Sequence, residues 1–200
     1  MFAVIDTETT WRDEVMSIGI AVSDFDSFTL ADKRYYIFTP YKDHGGMYTD
    51  TLYVRTPNLE CSRAAAMKDL CDFLKSNDVT DIFAYNAIFD HRHLPELQYL
   101  DWYDIMKLAA YRQYNPKIPY NADCCGTGRL KSGYGVESIY RMLSGNMRYS
   151  ELHNALTDAV DELEIMRMLK HEFTVYSNAK ITSTVTKDWT KSAEYDIIKK

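Results

Sequence analysis

Asp6 and Glu8 stand two residues apart in the run Val4-Ile5-Asp6-Thr7-Glu8-Thr9-Thr10. If that run is a strand, its two-residue period points both carboxylates the same way. A second segment, Ala84-Tyr85-Asn86-Ala87-Ile88-Phe89-Asp90, ends on another carboxylate, and a third, His153-Asn154-Ala155-Leu156-Thr157-Asp158-Ala159, joins a histidine to a fourth. Each couples an acidic group to apolar neighbours that anchor it in a core, where an unpaired charge is costly. Asp6, Glu8, Asp90 and Asp158 therefore read together as a cage of hard oxygen ligands. Such ligands suit two Mg²⁺ or Mn²⁺ ions, and such a pair suits hydrolysis of a phosphodiester.

The third segment carries the sharpest geometry. Five residues separate His153 from Asp158, which on a helix is a rotation of about 140°, not one face. If Asp158 points inward from a helix, His153 lies at or before its start, on a loop. From there an imidazole can swing toward an attacking water and take its proton. Asn86 and Asp90 are four apart and share a helical face if both are helical; Asn86 also suits the helix N-cap.

These groups must be held by a folded scaffold, and the chain has one to offer. Its 200 residues, 46% hydrophobic and 26% charged, fit one globular domain with a sizeable core. No run of about 18 apolar residues is present to span a membrane, and Asp6 and Glu8 interrupt any N-terminal leader pattern. A cytoplasmic protein is expected. Cys61, Cys71, Cys124 and Cys125 make no zinc or disulfide pattern and read as reduced thiols. A net charge of −6 excludes a generally basic nucleic-acid coat, but not an enzyme that grips through metals and a few local cations.

Apolar patterning predicts strands over Phe2–Thr7, Met16–Ser23, Lys33–Thr39 and Asp81–Tyr85, the middle two as an antiparallel hairpin. Helices are expected over 59–75, with Ala64, Met67, Cys71 and Leu74 buried, from near Asn86, over 105–114, from Val136 to Gly145, and over 154–171. The segment 115–135, with two prolines and four glycines, reads as irregular. This order predicts an α/β class with one mixed sheet flanked by helices.

Taken together, the Asp-x-Glu-Thr, Asn-x-x-x-Phe-Asp and His-x-x-x-x-Asp segments resemble, in order and separation, the motifs of the DEDDh 3′–5′ exonucleases, the DnaQ-like branch of the RNase H-like fold. The resemblance covers residues 2–171. It implies an RNase H-like mixed β-sheet flanked by α-helices, with residues 1–173 as the exonuclease domain and 174–200 as a tail or extension. It further implies that Asp6, Glu8 and Asp158 hold one of two ions, that Asp6 bridges to the second with Asp90 in support, and that His153 is the general base. Thr7, Thr9, Trp11, Asn86 and Phe89 would face the 3′-terminal nucleotide. The product would be a nucleoside 5′-monophosphate. Within the branch, the stretch from Ala84 to Glu96, Met106-Lys107-Leu108-Ala109 and Tyr120-Asn121 are similar to exodeoxyribonuclease members, which favours DNA 3′ ends, single-stranded or duplex, over RNA. Relatives include homodimers.

Trp11 and Ser17 stand where relatives commonly carry a glycine and an acidic residue. Two readings of Trp11 follow, a wedge that stacks on the terminal base and an aromatic packed under the sheet. Arg12, Lys107, Arg112, Arg129 and Lys131 are the cations available for phosphate contact. An exoribonuclease of the same branch and a polymerase-associated nucleic-acid-binding module are the competing functions; the intact carboxylates and His153 count against the module.

Overall fold

The computed structural model describes residues 1–54 and 57–181. Six strands, β1 (Phe2–Thr9), β2 (Val15–Ser23), β3 (Leu30–Phe38), β4 (Leu59–Cys61), β5 (Asp81–Ala84) and β6 (Asp101–Asp104), form one sheet in the order β4-β3-β2-β1-β5-β6. The first three make an antiparallel meander, while β5 and β6 run parallel beside β1 and β4 runs parallel to β3. This is the mixed sheet that the sequence predicts.

Helices cover both faces. Phe2 and Val4 of β1 pack with Ala159, Leu163 and Met166 of α5 (Ala155–Leu169). Ala3 and Ile5, on the opposite face, pack with Ala66, Leu70 and Leu74 of α1 (Arg63–Ser76). Burial on both sides explains why all nine residues of β2 are buried. Burying each large side chain here stabilises the fold by about 1.5–3 kcal/mol. Asp6 and Glu8 continue the Phe2–Val4 face, so they project toward α5.

One close approach fixes how far α5 reaches. Gly19 is the β2 partner of Asp6, and a Cβ at Gly19 would lie 2.1 Å from the Ala155 carbonyl carbon and 2.2 Å from the Leu156 nitrogen. Only a bare glycine lets the first turn of α5 rest on the sheet beside Asp6.

Three expectations need correction. The helix predicted from Leu59 begins at Arg63, with Ser62 accepting the Ala65 N–H at 3.3 Å as its N-cap; Leu59–Cys61 instead pairs with Tyr36–Phe38. Its buried stripe is Ala66, Met67, Leu70, Phe73 and Leu74, with Ala64 exposed and Cys71 half-buried. The helix predicted over 105–114 shrinks to α3 (Met106–Ala109), and Asp101–Asp104 before it joins the sheet as β6. Strands of three or four residues exist because a neighbour supplies the ladder, and their own patterning is too short to announce them.

Two further helices complete the scaffold, α2 (Ile88–His93) and α4 (Val136–Ser144), the latter closed by Gly145 in the left-handed region at φ +74°. Phe173–Ala179, which runs from the last residue of the expected domain into the segment expected as a tail, forms a 3₁₀ helix that buries Tyr176 and Ala179 against the core. The Ile181 N–H bonds the Trp102 carbonyl at 2.8 Å, and residues 182–200 lie outside the described residues. Among the described residues, no helix is long and apolar enough to cross a membrane.

Candidate functional site

The ten residues expected as ligands, base or nucleotide contacts, Asp6, Thr7, Glu8, Thr9, Trp11, Asn86, Phe89, Asp90, His153 and Asp158, line one cavity of about 340 Å³. It opens at the end of β1, where α2 and the start of α5 converge. Glu8, Asp158 and His153 each present a donor atom within 4.8 Å of the others. Asp6 is half-buried beneath them, with its Oδ2 sealed from solvent and without a hydrogen-bond partner, as is Asp158 Oδ1. Buried carboxylate oxygens without donors are rare and costly, and oxygens converging from a strand and a helix suit a hard divalent cation. The donor set fits a metal.

Asp90 is buried, as its apolar neighbours lead one to expect. It is 3% exposed, and its Oδ1 accepts a 2.7 Å hydrogen bond from the Thr7 hydroxyl. Thr7 is thereby a support for Asp90, although it lines the cavity. Asn86 does not cap α2: the N-cap position is Ala87, without a side-chain bond. Asn86 sits instead in the left-handed region at φ +58°, so its side chain and that of Asp90 do not share a helical face. Two carboxylates that the sequence reading missed hold this turn. Glu162 of α5 accepts the Tyr85 N–H at 3.0 Å, and Asp104 of β6 accepts the Asn86 N–H at 3.0 Å. Glu162 lies one turn after Asp158 on the same face, an i,i+4 signal that was available; Asp104 had none.

His153 precedes the N-cap Asn154, on a loop, as the spacing requires. Its backbone is left-handed, at φ +56°. The imidazole is held rather than free to swing, stacked on the Tyr48 ring at 3.9 Å and 14°, with Nδ1 at 3.9 Å from Glu151 Oε1. Burial lowers its pKa below the ordinary value, which favours the neutral, proton-accepting imidazole.

The carboxylates move the other way. Burial, then repulsion from Asp90, Glu162, Glu8 and Asp158, pushes Asp6 well above the usual range. Burial, with Asp158 and Glu151 next, raises Glu8 to about 9; burial, with Glu151 and Asp161 next, raises Asp158 to about 8. Burial raises Asp90 to about 7 against the opposing Thr7 hydrogen bond, and Glu151 also reaches about 7 by burial. In the absence of cations the folded chain thus holds more protons than the unfolded one between the ordinary carboxylate range and these values. Its stability falls as pH rises through that window. Bound divalent cations need the deprotonated ligands and reverse the trend. Thermal melts in EDTA should lose roughly 5 °C or more from about pH 5 to about pH 9, with the gain from Mn²⁺ growing over the same range. An EDTA melting temperature that is flat or rising would contradict this electrostatic reading.

Trp11 does not pack under the sheet. It is 69% exposed at the β1–β2 turn, beside Gly45, whose carbonyl accepts its N–H at 3.0 Å. Asp13 in the same turn bonds Arg92 and His93 of α2 at 3.1 Å. The five cations named for phosphate contact do not line the cavity. Arg112 donates to the Ala122 carbonyl, Lys131 pairs with Asp123, and Arg129 lies over the Tyr134 ring. Cys124 and Cys125 are free thiols.

No protein-family model and no curated protein matches the sequence. Solved structures do. The nuclease domain of 3′hExo, a DEDDh family member bound to rAMP, superposes with a TM-score of 0.60 at 16% identity over 84% of this chain and 91% of that one. The zinc-bound form of the E. coli ExoI–ssDNA complex gives 0.58 at 15% over 84% of this chain. A 3′-exonuclease recognising a histone mRNA stem-loop gives 0.59 at 15% over 84% of this chain and 63% of that one. The chain spans about 40% of the ExoI chain. Six strands in a mixed sheet, flanked by helices, with the carboxylates at the end of the central strand, thus make the DnaQ-like exonuclease fold the architecture of this chain.

Proposed function

We propose that this protein is a metal-dependent 3′–5′ exodeoxyribonuclease that releases nucleoside 5′-monophosphates, in DNA repair or proofreading. The observation that carries the reading is the convergence of Asp6, Glu8, Asp90 and Asp158 with the His153 imidazole in one cavity, two carboxylate oxygens being buried without donors. Asp6, Glu8 and Asp158 would hold one divalent ion, and Asp6 with Asp90 a second. Two Mg²⁺ or Mn²⁺ ions so placed would stabilise the attacking and leaving oxygens of an in-line displacement. His153 accepts the proton of the attacking water as its oxygen bonds to phosphorus. The bond from phosphorus to the 3′-oxygen breaks, and that oxygen takes a proton from solvent water to become the new 3′-hydroxyl. Thr9, Trp11, Asn86 and Phe89 would contact the terminal nucleotide, with Trp11 free to stack on its base; Thr7 acts through Asp90.

DNA is favoured by the likeness of Ala84–Glu96 and Met106–Ala109 to exodeoxyribonuclease X and by the fold shared with ExoI, solved with ssDNA. An exoribonuclease is the second reading, favoured by the fold shared with 3′hExo, solved with rAMP; contacts to the 2′-hydroxyl separate the two.

A gel of 5′-labelled and 3′-labelled DNA and RNA oligonucleotides, each with Mn²⁺, Mg²⁺ or EDTA, tests polarity, sugar and metal together. The expected result is a descending ladder on 5′-labelled DNA with either metal and none in EDTA. A ladder on RNA alone would favour the second reading. Metal-independent cleavage, or a ladder on 3′-labelled strands, would overturn the proposal.

A further inference from the structure

The function above leaves unexplained why His153 is so firmly held, and the residues that hold it come from a distant segment. Thr49–Thr51 is a single 3₁₀ turn in the connection after β3, preceded by Tyr48. The Tyr48 ring lies flat on the imidazole, with centroids 3.9 Å apart and planes 14° from parallel. The Thr51 hydroxyl bonds the Tyr48 carbonyl at 2.7 Å and also reaches the His153 carbonyl. Asn154, fully buried, donates its amide to the Thr51 carbonyl at 2.9 Å and to the Tyr35 hydroxyl at 3.1 Å. The turn itself is tied to its own loop, the Gly46 N–H donating to the Thr49 hydroxyl at 2.7 Å. A histidine at φ +56° occupies a conformation that residues with a side chain rarely adopt unless neighbours impose it.

We propose that Tyr48 is a positioning residue for the general base: with Thr51 fixing the backbone, its ring presets the His153 imidazole over Glu8 and Asp158 before substrate arrives. The proposal rests on the reading of His153 as the base. Stacking restricts the imidazole to one plane and leaves its ring edge, which carries both nitrogens, turned out from the tyrosine face. A base held in its working geometry saves the ordering that a mobile one must undergo in each turnover, and a displacement of about 1 Å can cost on the order of 100-fold in rate. The tyrosine hydroxyl has no part in this, so phenylalanine should serve as well. Tyr48 also lines the cavity, and a direct contact with substrate is the alternative that the test must separate.

Tyr48→Ala and Tyr48→Phe are made in the wild-type chain and in His153→Ala, and kcat and KM are measured on 5′-labelled single-stranded DNA with Mn²⁺, melting temperatures being matched first. Tyr48→Ala should lower kcat about 10-fold with KM within about 2-fold, and Tyr48→Phe should stay within about 2-fold of wild type. In the His153→Ala background, Tyr48→Ala should change the rate by less than about 2-fold, because the group it acts through is gone. An equal loss in both backgrounds, or a loss confined to KM, would overturn the proposal in favour of substrate contact. A second readout needs no activity. The His153 ring protons, assigned by their disappearance in His153→Ala, should lose the upfield ring-current displacement in metal-free Tyr48→Ala and keep it in Tyr48→Phe. Unchanged resonances in Tyr48→Ala would overturn the clamp whatever the rates show. Shifted resonances in a protein that cleaves no oligonucleotide would keep the clamp and overturn the hydrolytic reading.

Discussion

Asp158→Asn is expected to abolish hydrolysis while making the metal-free protein more stable. The carboxylate sits 3% exposed on α5, within 4.8 Å of donor atoms on Glu8 and His153. A carboxamide has nearly the same shape but no charge to hold a divalent cation, and losing that stabilisation of the reacting oxygens should cost at least about 10³ in kcat. The opposite effect on stability follows from the same burial. Burial, then Glu151 and Asp161, raises the Asp158 pKa to about 8, so ionising it in the folded chain is unfavourable. The variant removes that penalty, and its melting temperature in EDTA should exceed that of wild type by the widest margin near pH 9, above the pKa of the group removed. Asp6→Ala should be equally inactive. Wild-type rates in either variant would sink the metal-site assignment, and an Asp158→Asn protein less stable in EDTA at high pH would sink the electrostatic account.

His153→Ala should slow turnover by about 10²–10³ without removing metal. The imidazole meets the geometric need of a base at the cavity wall, and burial lowers its pKa, which favours the proton-accepting form. It is also the one residue of the cluster that the proposed metals do not require. Mn²⁺ should therefore still raise the variant's melting temperature, which separates a lost base from a lost metal. A variant that no longer responds to Mn²⁺ would make His153 a ligand instead, and one that turns over at the wild-type rate would leave the base unassigned.

Much of this site is legible in the chain because its parts are local. The two-residue period of a strand is enough to put Asp6 and Glu8 on one side. The rotation between His153 and Asp158 is enough to place the histidine ahead of α5, where the structure has it. Asn86 shows where local reasoning fails. Its spacing to Asp90 suits a helix and its type suits a cap, yet the chain leaves β5 in a left-handed turn, because Glu162 and Asp104 take the Tyr85 and Asn86 N–H groups. Those carboxylates lie 77 and 18 residues away in sequence, and no window spans such distances. Trp11 was open between a buried and an exposed place for the same reason: the packing of the β1–β2 turn against the loop at Gly45 decides it.

By itself, then, the sequence determined the chemistry: which groups carry charge, where the longer strands and helices run, and that Asp6 and Glu8 point the same way. The tertiary structure decided the rest. It set Gly19 under the first turn of α5, so that Asp158 can descend beside Asp6. It drew Leu59–Cys61 and Asp101–Asp104 into the sheet, and it laid Tyr48 on His153. Each of these rests on contact between segments far apart in the chain. Side-chain period and propensity act over a few residues, whereas close packing, strand pairing and ring stacking act wherever the folded chain brings two surfaces together.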